Sequence, residues 1–203
     1  MKKQSNYLNT VFLFASGVLL VYLLFRFIKK KQQAIPSPTT GYRPTPLAPL
    51  KNNLSYDEIY QLIRKEEGFN PVAVRDGSDK NGNPLFTIGI GHQIKKGEEY
   101  LLTKRITEDE SIILFEKDIT EIIEDMNKNI KVPINKNQQL ALISLRYNIG
   151  PAFNTSSLLK DINQNNFTGA ALKFKDWRLS DGKINPVLVA RRERERVLFS
   201  KPI

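Results

Sequence analysis

The sequence predicts an α+β fold, mainly helical, with one small β-hairpin lobe and a single apolar span ahead of it. Three observations carry that reading. Helix-start signals recur: Ser55 with Glu58, Thr107 with Glu110 and Asn135 with Gln138 have the spacing at which an N-cap side chain and the third helical residue cap each other. One stretch, DGSDKNGN, is dense in turn dipeptides and separates two runs of strand-like residues. Residues 11–25 carry no charge. The chain divides accordingly into a short tail (1–6), an apolar span (7–28), a basic and Pro-rich linker (29–53) and a compact domain (54–203).

Residues 7–28, YLNTVFLFASGVLLVYLLFRFI, are long enough for a bilayer span of roughly 20 residues. Arg26 can snorkel at its border, and Lys29, Lys30 and Lys31 follow. A cleavable signal peptide is the competing reading, but RFIKKKQQ offers no small-residue cleavage site, which favours an uncleaved anchor. The cationic cluster after the span predicts a cytoplasmic C-terminal side, with Lys2, Lys3 and the free amine competing for that side. In the linker, Pro36, Pro38, Pro44, Pro46 and Pro49 favour an extended, semi-rigid spacer.

Charge is uneven. Of 31 Lys/Arg and 21 Asp/Glu, residues 1–50 hold seven basic residues and no acidic one; the remainder has 24 basic against 21 acidic residues, a net +3. The basic excess therefore belongs to the membrane-proximal segment and argues for lipid contact, not nucleic acid. Without Cys there is no disulfide or thiolate chemistry, and a single His makes a zinc site improbable. No metal or cofactor is implied.

In the domain, SYDEIYQLIRKEEGF reads as a helix stopped by Gly68, with Ile59, Leu62 and Ile63 on one face. Glu67 then lies in its last turn, at the negative end of the dipole, where the charged carboxylate is disfavoured; Arg64 and Lys65 pull the other way. VAVRD and PLFTIGIG read as two strands, with Asp76 at the mouth of the hairpin and Thr87 opening TIGIGH. Two carboxyl groups across a cleft are what glycosidic hydrolysis requires: one protonates the leaving oxygen while the other activates water. The bland alternatives are a solvated helix Glu for Glu67 and plain turn chemistry for Asp76 and, more strongly, for Asp79. Gly89 and Gly91 bare one strand face for close approach of a ligand or another backbone.

Glu67-Gly68, then Arg75-Asp76, then TIGIGH resembles the active-site signature of the phage-type lysozymes, glycoside hydrolase family 24. The similarity runs on through ITEDES, LFEKDI, QQLALISLRYNIGPAF, FTGAALKFKDW and PVLVARRERERVLF, covering nearly all of residues 55–199. It implies a two-lobed lysozyme-like fold and a catalytic set of Glu67, Asp76 and Thr87. Asp76 precedes Thr87 by eleven residues, longer than the family's usual gap, so the hairpin carries an insertion and Asp79 competes for the second carboxylate. The implied reaction cleaves the β-1,4 bond between N-acetylmuramic acid and N-acetylglucosamine in bacterial peptidoglycan, with the domain monomeric and facing the wall. A lytic transglycosylase on the same substrate is one alternative; a non-catalytic wall-binding virion protein is another. Some relatives use an N-terminal anchor that later leaves the membrane. The resemblance also makes His92 structural, paired with an acid.

Further along, Ile112, Phe115, Ile119, Ile122, Ile123 and Met126 form the apolar stripe of a long helix. Its Glu116, Glu121, Glu124 and Asp125 read as a solvated face. Residues 140–145 are apolar almost all round, which predicts a central buried helix ended by Gly150-Pro151. Residues 156–163 and 168–174 read as short helices. Trp177, Tyr147 and Phe153 are aromatic candidates for sugar stacking, with a core role preferred. Asn185-Pro186 opens the last helix, whose RRERER reads as a salt-bridged exposed face; Arg191 and Arg192 are noted as candidates to face the cleft.

Overall fold

The computed structural model describes residues 54–79, 81–180 and 182–202. The tail, span and linker assigned to residues 1–6, 7–28 and 29–53 lie outside them. Among the described residues no helix is long and apolar enough to cross a membrane.

The chain runs α1 (Tyr56–Glu67), β1 (Asn70–Ser78), β2 (Pro84–Gly89), β3 (His92–Gln93), α2 (Glu108–Asn129), α3 (Lys136–Ile149), α4 (Ser157–Asn163), α5 (Phe167–Lys173), β4 (Leu179–Ser180), β5 (Lys183–Ile184) and α6 (Pro186–Phe199). The three expected capping boxes all form, at Ser55, Thr107 and Asn135. Each closes with the side chain of the third helical residue on the N-cap amide, so helix starts are set by local chemistry.

Two apolar clusters organise the domain. The larger gathers Ile59 and Ile63 of α1, the stripe of α2, Ala141, Leu142, Ile143 and Leu145 of α3, and Phe174 and Phe199 near the C-terminus. The smaller holds Ile88, Leu101 and Ile106, with Leu114 of α2 packed on it. Helix α2 thus serves both, and the sheet rides on the second cluster. This is the mainly helical, small-sheet arrangement expected. Phe153 is fully buried and Trp177 is half-buried against the large cluster, so these two aromatics are core residues.

The hairpin differs from its sequence reading in two ways. TIGIGH is not one strand: β2 ends at Gly89, Ile90-Gly91 turns, and His92 pairs back on Ile88. The cause is conformational. Gly89 and Gly91 have φ of 68° and 80°, a region that favours glycine. A Cβ on Gly89 would also lie 2.3 Å from Ser111 Oγ of α2, so its bareness serves helix–sheet packing, not a ligand. Second, β1 is longer than VAVRD, and its pairing slips twice, between Asn70 and Val74 and between Arg75 and Ser78. Asp76 and Gly77 lie within the second irregularity, where extra residues bulge out of the ladder and re-aim side chains.

Candidate active site

Four elements converge on one cleft of about 250 Å³, lined by Glu67, Asn70, Val74, Arg75, Asp76, Thr87, Gly91, Tyr147 and Asn148. Glu67 is the last residue of α1, and the β1–β2 hairpin forms the facing wall. Thr87 stands opposite Val74 in the ladder, two residues before Asp76. Glu67, Asp76 and Thr87 therefore border the same space. Asp79 is not among the lining residues. Its carboxylate accepts from the Asn81 and Asn83 amides, each at 2.8 Å, and from Asn83 Nδ2 at 2.9 Å. Those contacts, the Asn83 side chain foremost, lower its pKa, and they commit Asp79 to the turn.

Glu67 is held from behind. Arg191 Nη1 of α6 donates to Glu67 Oε1 at 2.7 Å. The other oxygen, Oε2, is turned towards Gly91, where a Cβ would lie 3.4 Å away. Gly91 thus leaves open the ground beside the carboxyl oxygen that Arg191 does not occupy. The cations expected to act on Glu67 from its own helix are engaged or exposed: Arg64 pairs with Glu108 at 2.9 Å, and Lys65 is exposed. Next to Glu67, Glu66 is clamped by Arg194 through contacts of 2.9 and 2.6 Å. Burial opposes its ionisation, but the hydrogen bonds and charge of Arg194 outweigh that and lower its pKa. Two adjacent acids at the end of α1 thus bind two arginines of α6.

The floor is aromatic and polar. Tyr147 donates its hydroxyl to Ile90 O at 2.7 Å, and burial, followed by the nearby acids Asp118 and Glu67, pushes its pKa well up, so it works as a neutral donor. Asn148 receives Arg192 Nη2 on Oδ1 at 3.1 Å. No group of three His, Asp or Glu positioned to hold a metal occurs among the described residues.

A helix-end carboxyl, a hairpin carboxyl and a strand Thr thus line one cleft. The phage lysozyme family profile matches residues 64–195. The chain belongs to the phage lysozyme family. It is 37% identical over 139 residues to the endolysin of Salmonella phage P22, covering 68% of this chain and 91% of that one. The endolysin of Bacillus phage B103 is 38% identical over 139 residues; this chain spans only 51% of its length and is covered over 68% of its own. The SAR-endolysin of Enterobacteria phage P21 is 37% identical over 113 residues, 55% of this chain and 67% of that relative. Among solved structures, the muramidase domain of SpmX from Asticaccaulis excentricus superposes with a TM-score of 0.61 at 29% identity, covering 75% of this chain and all of that domain.

Within this lysozyme fold, His92 is structural, as the resemblance implies. It is 1% exposed, with Nδ1 2.7 Å from Asp118 Oδ2 and Nε2 3.0 Å from Glu98 Oε2. Burial opposes a charged ring, but the two carboxylates outweigh it and raise the pKa. Sequence reasoning missed Asn70 and Asn148 and gave Tyr147 only a general aromatic role. The available signal was the polar end, Arg146-Tyr147-Asn148, that follows the apolar run 140–145 of α3. It also misread RRERER: Arg191, Arg192 and Glu195 are 5%, 2% and 3% exposed, so part of the supposed solvated face is buried. On α2, Glu116 is likewise buried, and Asp125 is bound by Arg146 and Asn154.

Proposed function

We propose that this lysozyme-family chain is a peptidoglycan hydrolase that cleaves the β-1,4 bond between N-acetylmuramic acid and N-acetylglucosamine. Glu67 donates the proton to the leaving oxygen from Oε2, while Arg191 fixes its other oxygen. Asp76, with the Thr87 hydroxyl, holds and deprotonates the attacking water on the opposite face of the sugar. That is the inverting geometry of a glycosidase, in which the two carboxyls leave room for a water. The observation carrying the reading is that these three side chains, drawn from a helix end, a strand bulge and a strand, line one cleft while Asp79 does not. The P22 endolysin and the SpmX muramidase domain, similar over most of their own lengths, support the substrate class. No step needs a metal or cofactor.

The N-terminal span, residues 7–28, would anchor the enzyme to a host or virion membrane with the monomeric domain facing the wall. The similarity to proteins named SAR-endolysins supports membrane association. A lytic transglycosylase would use the sugar's own 6-hydroxyl in place of water.

The deciding experiment is digestion of purified peptidoglycan followed by mass spectrometry. New reducing ends are expected, and 1,6-anhydro ends would replace hydrolysis with transglycosylation. Glu67→Gln should lose at least about 100-fold in rate while staying folded. Undiminished cleavage by that variant would remove Glu67 from the role of acid.

A further inference from the structure

Three charged residues of α6 are buried together. Glu195 Oε1 accepts from Ser144 Oγ at 2.7 Å, from Arg191 Nε at 3.2 Å and from Arg192 Nη2 at 3.1 Å. Glu195 Oε2 lies 2.9 Å from Arg192 Nε, an ion-pair contact. Withdrawing three charges from water is costly, and an apolar patch of equal volume often serves stability as well or better. What the patch could not supply is direction.

Both guanidiniums continue from Glu195 to the cleft. Arg191 has a partner on each nitrogen: Glu195 on Nε, Glu67 Oε1 on Nη1 at 2.7 Å, and the Ser144 carbonyl on Nη2 at 3.3 Å. A side chain fixed at three corners of its plane has no rotamer freedom left, and it passes that rigidity to Glu67. Arg192 extends from the same carboxylate to Asn148 Oδ1 at 3.1 Å. Asn148 lines the cleft with Glu67.

We propose that Glu195 is a positioning residue, which sets Glu67 through Arg191 and Asn148 through Arg192, and so aligns both for reaction. The assignment rests on the reading of Glu67 as the proton donor. Glu195 lies behind the arginines and touches no substrate; its effect is transmitted through their orientation.

The test uses the full chain and two variants. Glu195→Gln keeps the shape and removes the charge. Ser144→Ala removes one hydrogen bond to Glu195 and covers the case in which the first variant does not fold. On soluble peptidoglycan fragments, kcat should fall about tenfold or more in Glu195→Gln, because small misplacements of a reacting group are that costly, while KM stays near the wild-type value. Ser144→Ala should show a smaller fall of the same kind. Each variant combined with Arg191→Lys should be non-additive, since both act through one guanidinium. Independently of turnover, the carboxyl carbon resonance of Glu67 should move in both variants while that of Glu58, at the far end of α1, stays. Full kcat in a folded variant, additive effects, or an unmoved Glu67 resonance would overturn the proposal. Absence of cleavage by the wild-type chain would overturn the hydrolase reading instead, and the Glu67 resonance would still decide whether Glu195 governs that carboxyl.

Discussion

Asp76 and Asp79 stand three residues apart in one hairpin, and their surroundings separate them. Asp79 has given its oxygens to three donors of its own turn, whereas Asp76 opens on the cleft from a bulge. Asp76→Asn is therefore expected to cut peptidoglycan cleavage about 100-fold or more with an unchanged melting temperature, because a base is lost and no structural contact goes with it. Asp79→Asn should do the reverse, keeping most of the rate and lowering the melting temperature, because an amide cannot accept at all three positions. Parallel rate and melting measurements on the two variants check this; a dead Asp79→Asn with an active Asp76→Asn would exchange the roles. The sequence could carry the choice only so far. Turn chemistry and site chemistry both favour Asp, and the difference lies in where a bulge points the side chain, which depends on strand pairing rather than on residue type.

At the level of elements, what was legible in the sequence was local. The boxes at Ser55, Thr107 and Asn135 could be read because both partners lie within one helical turn. The contact that orients Glu67 joins residues 124 positions apart, and no window on the sequence contains it. Helix α6 shows a different failure. Alternating charge in RRERER suggests solvent on every side, yet Arg191, Arg192, Glu195 and Phe199 fall on one helical face, and all four are buried. Periodicity outranked composition there. The bare face of the Gly-rich strand leaves a ligand and a neighbouring element equally open, and Gly89 answers to α2. Gly89→Ala would force a methyl group to 2.3 Å from Ser111 Oγ at a φ of 68°, and about 2 kcal/mol of stability should be lost through overpacking and backbone strain. Urea denaturation of that variant measures it directly; a loss below a few tenths of a kcal/mol would mean that the helix and strand can move apart freely.

On the scale of the whole molecule, His92 ties the small sheet to α2 and to the loop before it, and that tie should make stability depend on pH in a defined way. Both ring nitrogens face carboxylates, Asp118 and Glu98, an arrangement in which only the doubly protonated ring can donate on both sides. Burial opposes ionisation of Glu98, but hydrogen bonds from Lys117, the Lys95 amide and His92 outweigh it and bring its pKa down to about 2. The two shifts have opposite consequences. Glu98 is depressed on folding, so its contribution is complete above the unfolded value near 4.5 and is lost as pH falls towards 2. His92 is raised on folding, so its contribution is complete below the unfolded value near 6.5 and is lost as pH climbs through the raised one. The cluster's contribution to the unfolding free energy should therefore peak between about pH 4.5 and 6.5 and decline on either side. His92→Gln keeps a polar group of similar reach and removes the charge; it should cost about 3 kcal/mol inside that window, as expected when one member of a buried ion pair is deleted. It should also remove most of the decline above pH 6.5, because no group in the cluster then releases a proton there on unfolding. A series of urea titrations from pH 3 to 9 on both proteins separates this from a merely destabilised variant, whose curve would be lower but of the same shape. An unchanged slope above pH 6.5 in His92→Gln would assign the decline to groups outside the cluster and would leave His92 with a packing role alone.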